Sequence, residues 1–187
     1  MKTLILLIDF EGHKILADEY TNKLRYSTLQ QITSDTTIDK NETIICTIGT
    51  SNSDKKLREI RNMALVDKWQ WLEILDHNSG VEAIEKLVLQ KLNYSMNNSN
   101  TEIVIGGCNT SGCVIQSKLC SAKYFSWKQY KTTILLPMCA EYAHYGINDI
   151  EKNMRAFGKL YTFIKDNKLN IDIVEDVKNI NFKIDDK

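Results

Sequence analysis

The sequence predicts a doubly wound α/β fold, in which a mostly parallel sheet of five or six strands carries helices on both faces. Short apolar runs alternate with longer helix-like segments along the 187 residues. The inner runs are apolar at nearly every position, which is typical of parallel strands buried on both faces. No repeat, low-complexity tract or linker interrupts them, so we expect a single domain over residues 1–177 and a polar tail at 178–187.

The first half of the chain predicts a β-α-β unit that is followed by a further strand and helix. Gly49 closes the second apolar run, and Ser79 is a suitable N-cap for the later helix. The predicted elements are a strand at 3–8, a helix at 14–31, a strand at 43–48, a short strand at 63–66, and a helix with residues 81, 84, 88 and 92 on one face.

The second half of the chain continues the same alternation after a polar loop at 94–100. Pro137 ends one of its strands, where the missing N–H does little harm. The predicted elements are a strand at 102–107, a helix that begins near Cys113 and carries residues 115, 119 and 122 on one face, a strand at 132–136, a helix with residues 150, 154, 157, 161 and 164 on one face, and an edge strand at 171–174.

Charge balance and cysteine content narrow the functional classes. Lys plus Arg and Asp plus Glu both number 24, so the chain has no basic field of the kind that binds nucleic acid. Five cysteines form no C-x-x-C pair, and their odd number favours reduced thiols in a cytoplasmic protein. The N-terminal apolar run is too short for a signal core and nothing reaches the length of a membrane span, so we expect no membrane partner.

The segment at 103–114 contains the most informative residue of the chain, Cys113. An apolar strand ends at Gly106-Gly107, and a short polar stretch then leads into a helix with Cys113 in its first turn. Thr110 or Ser111 can cap that helix, and its free N–H groups and dipole favour a thiolate, which makes Cys113 a candidate nucleophile. The alternative is a structural cysteine beside a tight turn, because cysteine is often buried.

An acidic residue ends the first predicted strand. Asp9 follows the apolar run at 3–8 directly. The carboxyl ends of parallel strands meet at one edge of a sheet and line its binding crevice. We therefore expect Asp9 and Cys113 to face one cleft.

These residues resemble the isochorismatase-like cysteine hydrolases, a family that includes nicotinamidases and other small amidases. The resemblance rests on the segments 6–10, 105–114 and 134–140, the last of which is followed by His144. It implies an Asp-Lys-Cys triad: Asp9 as general base, Lys68 as the cation that holds carboxylate and thiolate together, and Cys113 as nucleophile. It further implies a small-molecule substrate and a homo-oligomer.

The resemblance also implies other parts of the site. Backbone N–H groups near Cys113 would form an oxyanion hole, with a cis peptide at Cys108-Asn109. Trp69 and Trp71 are adjacent to Lys68 in sequence and could wall a substrate pocket, although the alternative is that both are core or interface aromatics.

Two departures from the family pattern restrict the activity. Glu11 stands where many members have Gln or Asn, and a second carboxylate there could repel an anionic substrate. The nicotinamidase metal site has no counterpart in residues 47–54, and the three histidines are scattered, so we expect no metal and no cofactor. The leading hypothesis is a metal-independent cysteine hydrolase that cleaves a small amide or related C–N bond through a covalent thioester.

Two alternatives belong to other functional classes. Asp9, Glu11, His144 and Asp149 resemble the first and last motifs of DEDD-type 3′–5′ exonucleases, whose carboxylates hold two metal ions. Those enzymes begin with antiparallel strands, whereas this chain predicts a helical crossover after its first strand. The other alternative is a catalytically silent member of the hydrolase family that acts as a binding protein.

Overall fold

The strands of the protein lie in one parallel sheet with the order β3-β2-β1-β4-β5-β6. This computed structural model describes residues 1–10, 19–49, 54–108, 110–121, 124–125, 127–140, 149–180 and 182. The strands are β1 (Lys2–Ile8), β2 (Thr43–Ile48), β3 (Gln70–Ile74), β4 (Thr101–Cys108), β5 (Lys131–Ala140) and β6 (Ile171–Val174).

Helices cover both faces of this sheet. They are α1 (Glu19–Ser34), α2 (Lys55–Val66), α3 (Val81–Leu92), a π-helix (Thr110–Leu119) and α4 (Asp149–Asn167). Helices α1 and α2 pack on one face, while α3, the π-helix and α4 pack on the other. The chain winds from β1 outward to β3, returns to β4 and continues to β6, so right-handed crossovers place the two helix groups on opposite faces. The predicted doubly wound α/β fold is confirmed.

Strand β1 shows why the inner strands are apolar throughout. Leu4, Leu6 and Ile8 pack toward α3 and the π-helix, whereas Ile5 and Leu7 pack toward α1 and α2. All five side chains are fully buried. Burial of each contributes about 1.5–3 kcal/mol, so a polar residue at any of these positions would be costly.

The sheet has a switch point between β1 and β4. The chain leaves β1 toward one face and β4 toward the other, which opens a crevice beyond the carboxyl ends of the two strands. Ile8 lies opposite Gly107 in the register. A Cβ on Gly107 would lie 2.1 Å from the Ile8 carbonyl oxygen, so only glycine allows the strands to stay this close.

The short strand predicted at Met63–Val66 is wrong, because these residues form the last turn of α2. The Asp54 side chain begins that helix by accepting hydrogen bonds from the backbone N–H groups of Lys56 and Leu57. Met63 and Val66, which suggested a buried strand, are 60% and 82% exposed. The strand itself begins at Gln70, which moves residues 67–69 to the amino edge of the sheet.

Smaller differences concern caps and faces. Gly80 occupies the N-cap of α3 without a side-chain hydrogen bond, so the predicted Ser79 cap is not used. Tyr161, assigned to the buried face of α4, is 68% exposed. Ile180 and Phe182 pack against the core although both fall in the predicted tail.

Among the described ranges, no helix combines the length and apolar character needed to cross a membrane.

Candidate functional site

A cavity of about 390 Å³ opens at the carboxyl edge of the sheet, beside the switch point. Four of its lining residues can ionise or attack a substrate: Asp9, His77, Cys113 and Lys118. The others are polar: Asn78, Gln116, Ser117, Ser121 and Tyr124. The structure therefore brings Asp9 and Cys113 to one cavity, as the strand-end argument requires.

Asp9 is held in an unusual backbone conformation at the end of β1. Its φ of 43° lies in the left-handed region, which non-glycine residues seldom adopt. Its N–H donates to the Ile48 carbonyl at 2.8 Å, so the residue continues the ladder to β2. The side chain is largely buried, and a Cβ on Gly49 would lie 2.1 Å from Asp9 Oδ1. Gly49 thus leaves the space that the carboxylate occupies.

Cys113 lies in the first turn of the π-helix and is half-buried. The Thr110 hydroxyl donates to the Ala140 carbonyl at 3.0 Å, which ties the start of the helix to the end of β5. The Thr110 hydroxyl oxygen keeps lone pairs that can accept the predicted cap bond, and the Ser111 side chain lies outside the described residues. The N–H groups of a helix's first turn lack intrahelical acceptors, so they face the region of the thiol with a partial positive charge.

The π-helical register places Lys118 beside Cys113. In this helix hydrogen bonds join residues five apart, as between the Cys120 N–H and the Ile115 carbonyl at 2.9 Å. Residues five apart in an α-helix would point about 140° away from each other at about 100° per residue. In the π-helix they lie one turn apart, which is why Lys118 and Cys113 line the same cavity.

Lys118 is a buried cation, only 1% exposed. Its ammonium donates to the carbonyls of His77 at 2.8 Å and Ser79 at 3.1 Å, and to the Tyr124 hydroxyl at 3.0 Å. No carboxylate forms an ion pair with it within the described part of the chain. A lysine is almost never this buried without an acidic partner, so its charge acts on the cavity it lines.

The Cβ atom of His77 lies near the Asp9 carboxylate. The position that a Cβ on Gly49 would take lies 2.6 Å from His77 Cβ and 2.1 Å from Asp9 Oδ1. The two side chains therefore flank the same glycine. His77 is exposed at the rim of the cavity, where its imidazole has access to solvent.

Lys68 is far from this cavity, and its assignment to the triad is wrong. It follows α2 and precedes β3, so it lies at the amino edge of the sheet. Its N–H donates to the Leu65 carbonyl at 3.0 Å in the turn that ends α2. Strand β3 separates Lys68 from the level of Asp9 by about 20 Å along the strand direction. The lysine of the cavity is Lys118 instead.

Trp69 and Trp71 do not line the cavity either. Trp69 is 3% exposed, packs with α1 and α2, and donates from Nε1 to the Thr33 carbonyl at 3.0 Å. Trp71 packs against the same apolar cluster. Both are core aromatics, so the substrate-binding role considered for them is wrong.

The remaining predicted site residues are only partly described. Cys108 ends β4 fully buried and lies opposite Ala140. Asn109, Glu11 and His144 lie outside the described residues, as does the side chain of Asp149.

The alternative of an exonuclease conflicts with the observed topology. Strands β1 and β2 are parallel and joined by a crossover, whereas those enzymes begin with antiparallel strands. Three of the four side chains assigned to that alternative, those of Glu11, His144 and Asp149, lie outside the described residues, so its metal site stays a prediction.

Sequence reasoning missed two of the four reactive lining residues. His77 follows β3 closely, and the strand-end argument finds it once that strand is placed at Gln70–Ile74. Lys118 carries no comparable signal, because its orientation depends on a π-helical register that the usual 3.6-residue period does not anticipate.

Two other cysteines lie in environments that suppress reactivity. Burial raises the pKa of the Cys46 thiol to about 12. Burial also raises the pKa of the Cys120 thiol. A thiol with a raised pKa holds less of the nucleophilic thiolate at neutral pH.

Comparison with known proteins adds support for the fold. No family model matches the chain, and neither does any curated protein. Among solved structures, a hypothetical protein from Trypanosoma cruzi is similar, with a TM-score of 0.52 and 12% identity over 92% of this chain and 78% of that chain. At this identity the likeness shows the doubly wound α/β architecture alone.

Proposed function

We propose that the protein is a metal-independent cysteine hydrolase that cleaves the C–N bond of a small amide. The observation that carries this proposal is the presence of the Asp9 carboxylate and the Cys113 thiol in one cavity at the switch point. A carboxylate and a thiol can begin nucleophilic acyl transfer, in which the carboxylate removes the thiol proton.

The chemistry proceeds through a thioester. Asp9 accepts the proton of Cys113, and the sulfur attacks the amide carbon. The N–H groups at the start of the π-helix stabilise the oxyanion that develops. The proton held by Asp9 passes to the nitrogen as the C–N bond breaks, the amine leaves, and water hydrolyses the thioester to release the acid and the free thiol. The positive charge of Lys118 stabilises the anionic groups, a role that the sequence had suggested for Lys68.

The cavity limits the substrate to a small polar amide. Its volume of about 390 Å³ is near the lower end of the range for small-molecule sites. Amide and hydroxyl side chains line it, including Gln116, Ser117 and Ser121. Such a lining suits a substrate with several hydrogen-bonding groups better than a flat apolar one.

The Cys113→Ser variant tests the proposal directly. We expect the wild-type protein to release amine or ammonia from members of a panel of small aliphatic amides. Cys113→Ser should lose this activity by more than about 1,000-fold, because the hydroxyl is a much weaker nucleophile than a thiolate. The control variant Cys46→Ser, which changes a buried thiol in β2, should retain it. Full activity in Cys113→Ser would contradict the mechanism.

The position of Lys68 favours a second candidate, a catalytically silent binding protein. One member of the implied triad lies at the other edge of the sheet, so the fold supplies the cavity without that lysine. Failure of every amide, together with slow alkylation of Cys113, would support this candidate. For either function we expect a homo-oligomer, which light scattering measures.

A further inference from the structure

His77 is a third reactive residue of the cavity, beside Asp9 and Cys113. We propose that His77 is a catalytic residue of this site, which passes a proton to the leaving nitrogen and later removes one from the attacking water. The inference deepens the proposed hydrolase and rests on it. Its geometric basis is the packing around Gly49. A Cβ added to that glycine would lie 2.1 Å from Asp9 Oδ1 and 2.6 Å from His77 Cβ, and both residues line the cavity that contains Cys113.

The backbone that carries His77 is fixed by two side chains from the opposite wall. Lys118 donates to the carbonyls of His77 and Ser79, and the Tyr124 hydroxyl donates to the carbonyl of Asn78 at 3.3 Å. Three consecutive carbonyls of the β3–α3 connection are thus bound by Lys118 and Tyr124. A loop held at three successive residues fixes the backbone from which the imidazole extends, and a fixed attachment point favours proton transfer.

The proton path balances in both steps. In acylation the thiol proton passes to Asp9, and His77 relays it to the nitrogen as the C–N bond breaks and the Sγ–C bond forms. In deacylation His77 takes a proton from water while the oxygen attacks the thioester carbon. The C–S bond then breaks, and the proton returns to the sulfur. No oxidant, reductant or second substrate is needed.

The groups around His77 make histidine suited to this task. Asp9 supplies negative charge, Lys118 supplies positive charge, and the Cys113 thiol and the Tyr124 hydroxyl line the same cavity. Imidazole is the side chain that ordinarily changes protonation state between about pH 5 and 8. Because His77 is exposed, it also exchanges protons with solvent, whereas Asp9 is largely enclosed.

The experiment uses 4-nitrophenyl acetate as the probe, since its leaving group departs without a proton. In the wild-type protein we expect a burst of nitrophenolate as Cys113 is acetylated, followed by slower turnover. In His77→Gln the burst should persist, but deacylation should slow by about 100-fold, and acetyl-Cys113 should accumulate by intact mass.

Two further variants separate a catalytic role from a structural one. Free imidazole should restore deacylation in His77→Ala, because it replaces the missing base. Glu82→Gln, an exposed change in the first turn of α3, should leave the burst and the deacylation rate unchanged.

The outcomes distinguish this inference from the proposed function. A wild-type protein without a burst, or a burst that survives in Cys113→Ser, would overturn the proposed hydrolase and this inference with it. A normal burst with wild-type deacylation in His77→Gln would overturn the role of His77 alone.

Discussion

The two edges of the sheet each hold a charged residue in the left-handed region of backbone space, but among the described residues it is Asp9, not Lys68, that lines a cavity with Cys113. Asp9 has a φ of 43° at the carboxyl edge, and Lys68 has a φ of 65° at the amino edge. Asp9 is largely buried beside Gly49 and lines the cavity with Cys113. Lys68 is exposed in the turn that ends α2. Charge and backbone strain therefore do not identify a functional residue unless other reactive groups converge on it.

The lysines at the two edges also differ in burial and in their hydrogen-bond partners. At the amino edge Lys2 forms a partly exposed ion pair with Glu42 at 3.3 Å, the kind of contact that contributes about 0–1 kcal/mol. At the carboxyl edge Lys118 is buried, bonded to neutral acceptors and adjacent to a cavity. Enclosing a cation costs stability, and the three hydrogen bonds of Lys118 to neutral acceptors offset part of that cost.

The Gly49→Ala variant gives the largest effect expected from a change that leaves the reactive groups in place. The new methyl group would lie 2.1 Å from Asp9 Oδ1 and 2.6 Å from His77 Cβ, at a φ of +69°. We expect hydrolysis to fall by about 100-fold, because a displacement of about 1 Å can cost that much. Unfolding free energy should fall by about 1–3 kcal/mol. Amine release and thermal denaturation measure the two effects.

Gly158→Ala is the matched control for that variant. Nothing lies within 4 Å of the Cβ position at Gly158, which is an exposed residue of α4. This alanine should raise stability by about 0.5–1 kcal/mol and leave activity unchanged. Equal activities in the two alanine variants would show that the space beside Asp9 is unimportant.

The smallest change in stability and activity is expected from a substitution at the amino edge, Lys68→Gly. Lys68→Gly removes the left-handed strain of a non-glycine residue but adds chain entropy to the unfolded state. We expect a net gain of about 0.5 kcal/mol, or about 1–2 °C in Tm, with unchanged hydrolysis. A loss of activity in Lys68→Gly would mean that the amino edge contributes to the reaction.

Most of the fold could be predicted from the sequence, because burial on both faces makes each inner strand a continuous apolar run. Strand β1 and strand β2 were predicted to within one residue. The error at Met63–Val66 arose because a short apolar run at the exposed end of a helix has no period that distinguishes it from a strand. A strand at 63–66 would put Lys68 at the carboxyl edge, whereas the observed strand at Gln70–Ile74 puts His77 there.

The site was only half predictable for a related reason. Asp9 and Cys113 follow strands that were placed correctly, so their convergence follows from sheet topology. Lys118 depends on helix register, and the role of Gly49 depends on a contact between two loops. Neither of these has a local sequence signal.

The rate at which iodoacetamide alkylates Cys113 is the measurement that tests the central claim most directly. Mass spectrometry of the wild-type protein at pH 7 should show Cys113 modified before Cys46 and Cys120, whose thiol pKa values are raised by burial. In Asp9→Asn the rate at Cys113 should rise by about tenfold, because removal of a neighbouring negative charge favours the thiolate and one pKa unit corresponds to a tenfold change. In Lys68→Ala it should stay within about twofold of the wild-type rate, since Lys68 lies at the other edge. Equal rates in Asp9→Asn and the wild-type protein would contradict the account.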